Sequence, residues 1–174
     1  MDKSELLELL NRYPHDDAHR ALTRLFVERY DNFWQRENLY GHTTASCWVV
    51  DPARTHTLLT HHAKLNAWFQ LGGHIEPGDA DLFAAALREF HEESGLTEVQ
   101  LPRREILDID VHYIPTSKSG VPGHFHFDLR VLLVANMETP LQFDASESHE
   151  IRWVELGKVR ELNESESILR MLNR

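Results

Sequence analysis

Gly72-Gly73-His74-Ile75-Glu76-Pro77-Gly78-Asp79, followed after a short gap by Arg88-Glu89-Phe90-His91-Glu92-Glu93-Ser94-Gly95-Leu96, is the stretch on which the fold of this chain turns. Glycines at 72, 73 and 78 beside Pro77 mark a tight loop. The segment from Asp81 to Glu93, rich in Ala, Leu and Glu, predicts the strongest helix in the sequence, and Gly95 ends it as a C-cap. On that helix Glu89, Glu92 and Glu93 stand at i, i+3 and i+4, within one narrow arc. Phe83, Ala86, Leu87 and Phe90 fill the adjacent arc, so one side of the helix is buried and the carboxylates lie along its boundary.

Three like charges at the edge of a core call for a cation. Mg²⁺ suits hard carboxylate oxygens, keeps several waters and is commonly shared with substrate phosphates, and Mn²⁺ suits the same donors. Such an ion polarises a phosphoryl oxygen and activates a bound water. The plainer alternative is a solvated acidic face with Arg88 paired to Glu92 at i+4.

The surroundings favour the first alternative. The stretch resembles the Nudix box, a loop-helix-loop written Gly-x5-Glu-x7-Arg-Glu-U-x-Glu-Glu-x-Gly-U, where U is a bulky aliphatic residue. The second half fits position by position, with Phe90 at the first U. In the first half Asp79 stands where the family has Glu, and eight residues rather than seven separate it from Arg88. Gly78, Asp79 and Asp81 are turn and N-cap types, whereas Phe83 to Glu93 contains no breaker. The extra residue is therefore expected before the helix, leaving the register from Ala84 onward intact.

The resemblance implies an α/β fold, the α/β/α sandwich with a mixed β-sheet, here with extra N-terminal helices. It also implies a metal-dependent hydrolase that cleaves a diphosphate linkage in a nucleoside diphosphate-linked or nucleoside triphosphate substrate. Glu92 and Glu93 would then hold the metal, with Glu89 a further ligand or the water-activating base. Arg88 would orient Glu89, and Gly73 would offer its backbone to the metal or admit the phosphates. Family members often draw another ligand or base from a loop before a Trp-bearing strand. Glu147 and Glu150 are the candidates here, with loop solubility the alternative.

Working outward, Leu6, Leu9 and Leu10, then Leu22, Leu25 and Phe26, predict two helices, the second N-capped by Asp16. Ala45 to Val50 and Thr55 to Thr60 read as a hairpin turning at Asp51-Pro52. Ile106 to Ile114, His124 to Ala135 and Ile151 to Leu156 read as strands, and Ser165 to Leu172 as a closing helix. Residues 1–174 are thus expected to form one domain, with 1–40 a helical extension and 41–174 the core. The extension could cap the sandwich, pair two subunits into a homodimer, or close over the ligand.

The formal net charge of −10 and the lack of a Lys/Arg stripe argue against duplex DNA and leave a small anionic nucleotide-like substrate, neutralised locally. Phosphate-binding candidates are Lys64, His74, His124, His126 and Arg130, the strand alternation pointing His124, His126 and Asp128 the same way, with a half-buried polar strand face as the alternative. No stretch reaches the ~18 apolar residues of a membrane helix and the N-terminus is charged, so a cytoplasmic protein with no membrane partner is expected. A single cysteine, Cys47, excludes internal disulfides and cysteine-based zinc sites. Two other readings stay open: a Nudix-fold module that binds nucleotides without catalysis, and an isomerase of isopentenyl diphosphate using Cys47 as a catalytic thiol.

Overall fold

The computed structural model describes residues 1–174 apart from Asp16 and Ser119. Two helices come first, α1 (Lys3–Arg12) and α2 (Ala18–Arg29). Strands β1 (Gly41–Val50), β2 (His56–His62), β3 (Ala67–Phe69) and β4 (Leu71–His74) lead into α3 (Leu82–Ser94). Then follow β5 (Asp108–Ile114), β6 (His124–Val134), β7 (Ser148–Glu155) and the short C-terminal helices α4 (Val159–Leu162) and α5 (Glu166–Leu169). The N-cap expected at Asp16 lies outside the described residues. Asp17 accepts from the Arg20 amide at 2.9 Å and caps α2.

The described strands form a mixed sheet in the order β3-β2-β1-β6-β5, with β1 and β6 parallel and the other pairs antiparallel. The predicted hairpin is present, and the Asp51 carboxylate organises its turn by accepting from the amides of Ala53, Thr55 and His56. Beyond the paired residues Val50 and Thr57 the two strands part. β2 goes on to pair with β7, and β4 fills the gap beside Thr44–Cys47 of β1. That divergence seats Gly72 and Gly73 against the middle of the sheet.

Alternation along β1 and β6 separates two cores. Ala45, Cys47 and Val49 join Leu129, Val131 and Leu133 beneath α1, α2 and α3. On the other face Trp48, Val50, Leu59, Trp68 and Val154 pack with Val159, Ile168 and Met171 of the C-terminal segment. Helices on both faces of the sheet give the sandwich expected from the sequence. The N-terminal helices cap one face: Leu6, Leu9, Leu10 and Val27 enter the main core, and the Phe26 ring stacks on Phe127 at 4.1 Å.

Several boundaries differ from expectation. β3 and β4 escape a periodicity reading because one has three residues and the other contains Gly-Gly, poor in β-propensity. β7 begins at Ser148 rather than Ile151, and the closing helix breaks into α5 and a 3₁₀ turn, Arg170–Asn173. No helix among the described residues is long and apolar enough to cross a membrane.

Candidate active site

The helix α3 is regular from Leu82 to Ser94. Asp81 caps it by accepting from the Ala84 amide at 2.8 Å, and Gly95 closes it in the left-handed region at φ 68°. Leu82, Phe83, Ala85, Ala86 and Phe90 are buried, with Leu87 partly so. The added residue is taken up before the helix, in a turn closed by two bonds: the Asp79 amide donates to the Glu76 carbonyl at 3.0 Å, and the Glu76 amide to the Asp79 carboxylate at 2.8 Å. The carboxylate face therefore keeps its register.

Arg88 ties loop and helix together. Its Nε and Nη2 fork onto Asp79 at 3.1 and 2.9 Å, its Nη2 also donates to the His74 carbonyl at 2.8 Å, and its Nη1 reaches Glu89 at 3.0 Å and Glu92 at 2.9 Å. A planar guanidinium serves three carboxylates and a carbonyl this way, which an ammonium cannot. Asp79 is therefore the anchor that positions Arg88, and Arg88 orients Glu89.

Glu93 reaches under the loop, its Oε1 accepting from the Gly72 amide at 2.9 Å. Burial pushes its carboxyl up to about 8, against the pull of that amide, and the charges of Glu89 and Glu147 add to the effect. Glu89 is likewise raised, chiefly by burial, with Arg88 opposing. Glu92 is the exposed member of the trio. Hard oxygen donors on one helix face, those of Glu89 and Glu93 buried, fit a divalent cation such as Mg²⁺ or Mn²⁺, which would relieve the repulsion between them.

Gly73 has a steric reason to lack a side chain. A Cβ there would stand 2.7 Å from Glu89 Oε1 and 2.8 Å from its Cδ. Gly73→Ala must displace the Glu89 carboxylate, so kcat is expected to fall about 100-fold for a shift of roughly 1 Å. Wild-type turnover in that variant would mean Glu89 does not act from this position.

The other sequence candidates divide. Glu147 belongs with the cluster through its effect on Glu93, and its carbonyl accepts from the Ala63 amide at 2.9 Å, next to Lys64 in the exposed β2–β3 turn. Glu150 sits on β7 opposite His61 and pairs with Arg152 at 3.3 Å. His74, His124 and His126 gather and are joined by His42, the four ring centres lying 4.8 to 5.2 Å from their neighbours.

Arg130 needs a correction. It is 2% exposed, and Nε donates to Asp128 at 2.9 Å, Nη1 to Asp108 at 3.2 Å and the Ser167 carbonyl at 2.7 Å, and Nη2 to the Ser167 hydroxyl at 2.7 Å. Its guanidinium is used inside the protein and offers no face to a phosphate. The alternative of Cys47 as a reactive thiol is not supported: it is fully buried, as its apolar run suggests, its Sγ lies 3.7 Å from the Leu71 carbonyl, and burial raises its pKa well above the usual thiol range.

Reasoning from sequence missed His42 and the segment Trp34 to Glu37. That segment, with Ile75, Glu76 and Pro77, lines a hollow of about 560 Å³ against the glycine loop. A smaller hollow of about 330 Å³, lined by His56, Arg152 and Lys158 among others, contains no residue of the box.

A family profile described as NUDIX domain matches residues 41–172. The chain belongs to the Nudix family. Solved structures agree on the fold. The Caenorhabditis elegans Ap4A hydrolase binary complex is 19% identical, covering 75% of this chain and 92% of its own, with a TM-score of 0.59. Escherichia coli dihydroneopterin triphosphate pyrophosphohydrolase is 16% identical, covering 75% and 92%, with a TM-score of 0.55. A NUDIX family hydrolase from Clostridium perfringens is 23% identical, covering 76% and 96%, with a TM-score of 0.53. A comparison with curated protein sequences gave no match. Family membership places this Nudix protein among the hydrolases that act on pyrophosphate bonds, and the neighbours share its fold.

Proposed function

We propose that this Nudix hydrolase cleaves a diphosphate linkage of a small nucleotide-like substrate and depends on Mg²⁺ or Mn²⁺ to do so. The observation that carries the reading is the pair Glu89 and Glu92 on Arg88 with Glu93 beside them on the same helix face, bonded to the Gly72 amide, the carboxyls of Glu89 and Glu93 being buried and raised in pKa. Glu92 and Glu93 would hold the cation with Glu89, and Glu147 is the outlying candidate. When bound, the cation would supply charge neutralisation at the phosphates and an acidified water. Glu89, fixed by Arg88, is placed to hold a proton from an attacking water, its raised pKa favouring that role.

The hollow between the Trp34–Glu37 segment and the box supports a nucleotide. It offers the Trp34 indole as a stacking surface and the Arg36 guanidinium as a cation beside an otherwise acidic cluster. On this reading the chain ahead of the Nudix core contributes to substrate binding.

The test is a panel of nucleoside diphosphate sugars, ADP-ribose, dinucleoside polyphosphates, nucleoside triphosphates and 5′-triphosphorylated RNA, with phosphate release measured. At least one class should turn over with Mg²⁺ or Mn²⁺, fall to background in excess EDTA and recover on adding the cation back. Full activity in EDTA would overturn the metal dependence. Saturable binding across the panel without turnover would return the protein to a silent nucleotide-binding module.

A further inference from the structure

We propose that His42, His124 and His126 form a second metal site, built for a first-row transition cation of the zinc class and separate from the carboxylate cluster. The three residues come from the adjacent parallel strands β1 and β6, where His42 and His126 are direct register partners. Alternation puts all three on the sheet face that carries Trp48 and Val50, away from α3. Each can present one ring nitrogen such that the three atoms lie within 4.8 Å of one another. Side-chain rotations of a fraction of an ångström bring such a set onto one ion.

The finer geometry supports coordination. The Nε2 atoms of His124 and His126 are 3.3 Å apart. Two imidazoles on one tetrahedral ion with bonds of about 2.0–2.1 Å have their nitrogens about 3.3 Å from each other. The Nδ1 of His124 lies 2.8 Å from the Pro122 carbonyl. A carbonyl only accepts, so Nδ1 bears the proton and Nε2 keeps its lone pair, which accepts from His126 Nε2–H in the metal-free protein and is the atom an ion would take in its place. A backbone carbonyl fixing the tautomer of a liganding histidine is the usual support for such a ligand.

His42 is the independent observation that something belongs here. It is 2% exposed, and neither ring nitrogen has a hydrogen-bond partner among the described residues. An imidazole has one donor and one acceptor to satisfy, and leaving both unmet in the interior is destabilising. A metal ion at the centre of the three rings would satisfy one of these nitrogens directly. Three imidazoles with no carboxylate among them select zinc, cobalt or nickel over Mg²⁺, and they leave a fourth position for water or an anionic oxygen. The His74 ring lies beside the three, 5.0 Å from His42 and 5.2 Å from His126.

Co²⁺ titrated into the full-length protein in excess Mg²⁺ tests the proposal. One equivalent should bind with the visible absorption of a nitrogen-ligated, low-coordinate ion. His124→Ala and His126→Asn should each weaken binding by more than about 100-fold, since losing a ligand costs at least as much as losing the group that supports one. Glu93→Gln should leave Co²⁺ binding unchanged, which separates this site from the Nudix carboxylates. In wild-type protein, one equivalent of Zn²⁺ should shift the imidazole ¹⁵N resonances of His42, His124 and His126, a readout that needs no variant to fold. Co²⁺ binding lost in Glu93→Gln, or Zn²⁺ shifts confined to other histidines, would overturn the site.

Discussion

Glu93→Gln is expected to lower turnover at least 100-fold or so while making the metal-free protein more stable at alkaline pH. Gln keeps the shape and can still accept from the Gly72 amide, so the loop stays in place. What it removes is the charge that holds a cation. The stability change follows from linkage. The Glu93 carboxyl is pushed by burial from its ordinary 4.5 to about 8 in the folded protein. A raised pKa means the fold favours the protonated form, so the associated stability is present below the unfolded value and is lost as pH rises through the folded one. In EDTA the melting temperatures of wild type and Glu93→Gln should nearly coincide at about pH 4.5, diverge in favour of the variant toward pH 8, and run parallel above it, the gap amounting to several degrees.

Adding Mg²⁺ should narrow the gap, because only the charged carboxylate gains a ligand; saturation at about 100 times Kd stabilises by roughly 2.7 kcal/mol. Glu92→Gln should share the loss of turnover. Unaltered rates in both variants would return the trio to a solvated acidic face.

What was legible in the sequence was local. The arc of Glu89, Glu92 and Glu93, the buried arc of Phe83, Ala86 and Phe90, and the caps at Asp81 and Gly95 all lie within one helix, where residue spacing fixes relative position. The insertion before Arg88 was readable for the same reason, since turn formers precede the helix and no breaker interrupts it. The role of Asp79 was not readable, because its fork onto Arg88 depends on how the loop folds back. Alternation showed that His124, His126 and Asp128 share a face, but not what covers it. Asp108 lies on a neighbouring strand and Ser167 is 37 residues away, so a buried Arg130 and one waiting for a phosphate look alike from β6 alone. His42 was hidden by the same limit, as only the parallel register of β1 and β6 brings it to His126.

The network around Asp108 carries the largest expected effect on stability. Asp108 is fully buried and accepts from Arg130 at 3.2 Å, from Arg170 at 2.9 Å through both Nε and Nη2, and from Arg174 at 3.1 Å. Asp110 takes a further bond from Arg170 at 3.1 Å, and although burial raises its pKa, His112 and Arg130 outweigh that and hold it well below the carboxylate range. Three guanidiniums thus converge on one carboxylate that fastens the C-terminal segment to the sheet. Asp108→Asn keeps the volume, removes the central negative charge and presents an amide donor to groups that can only donate. Removing one partner of a buried ion pair costs about 3–5 kcal/mol, which in a chain of this size lowers the melting temperature by on the order of 10 °C. Lys158→Ala, which breaks an exposed pair with Glu155, should cost well under about 1 kcal/mol and serves as the control. Limited proteolysis should cut Asp108→Asn first between Val159 and the C-terminus, because the residues released there lose their attachment before the sheet does. A melting temperature within a degree or so of wild type, with the C-terminal segment still protected, would show that the arginines repartition onto Asp110 and Asp128 and that Asp108 is not the fastening point.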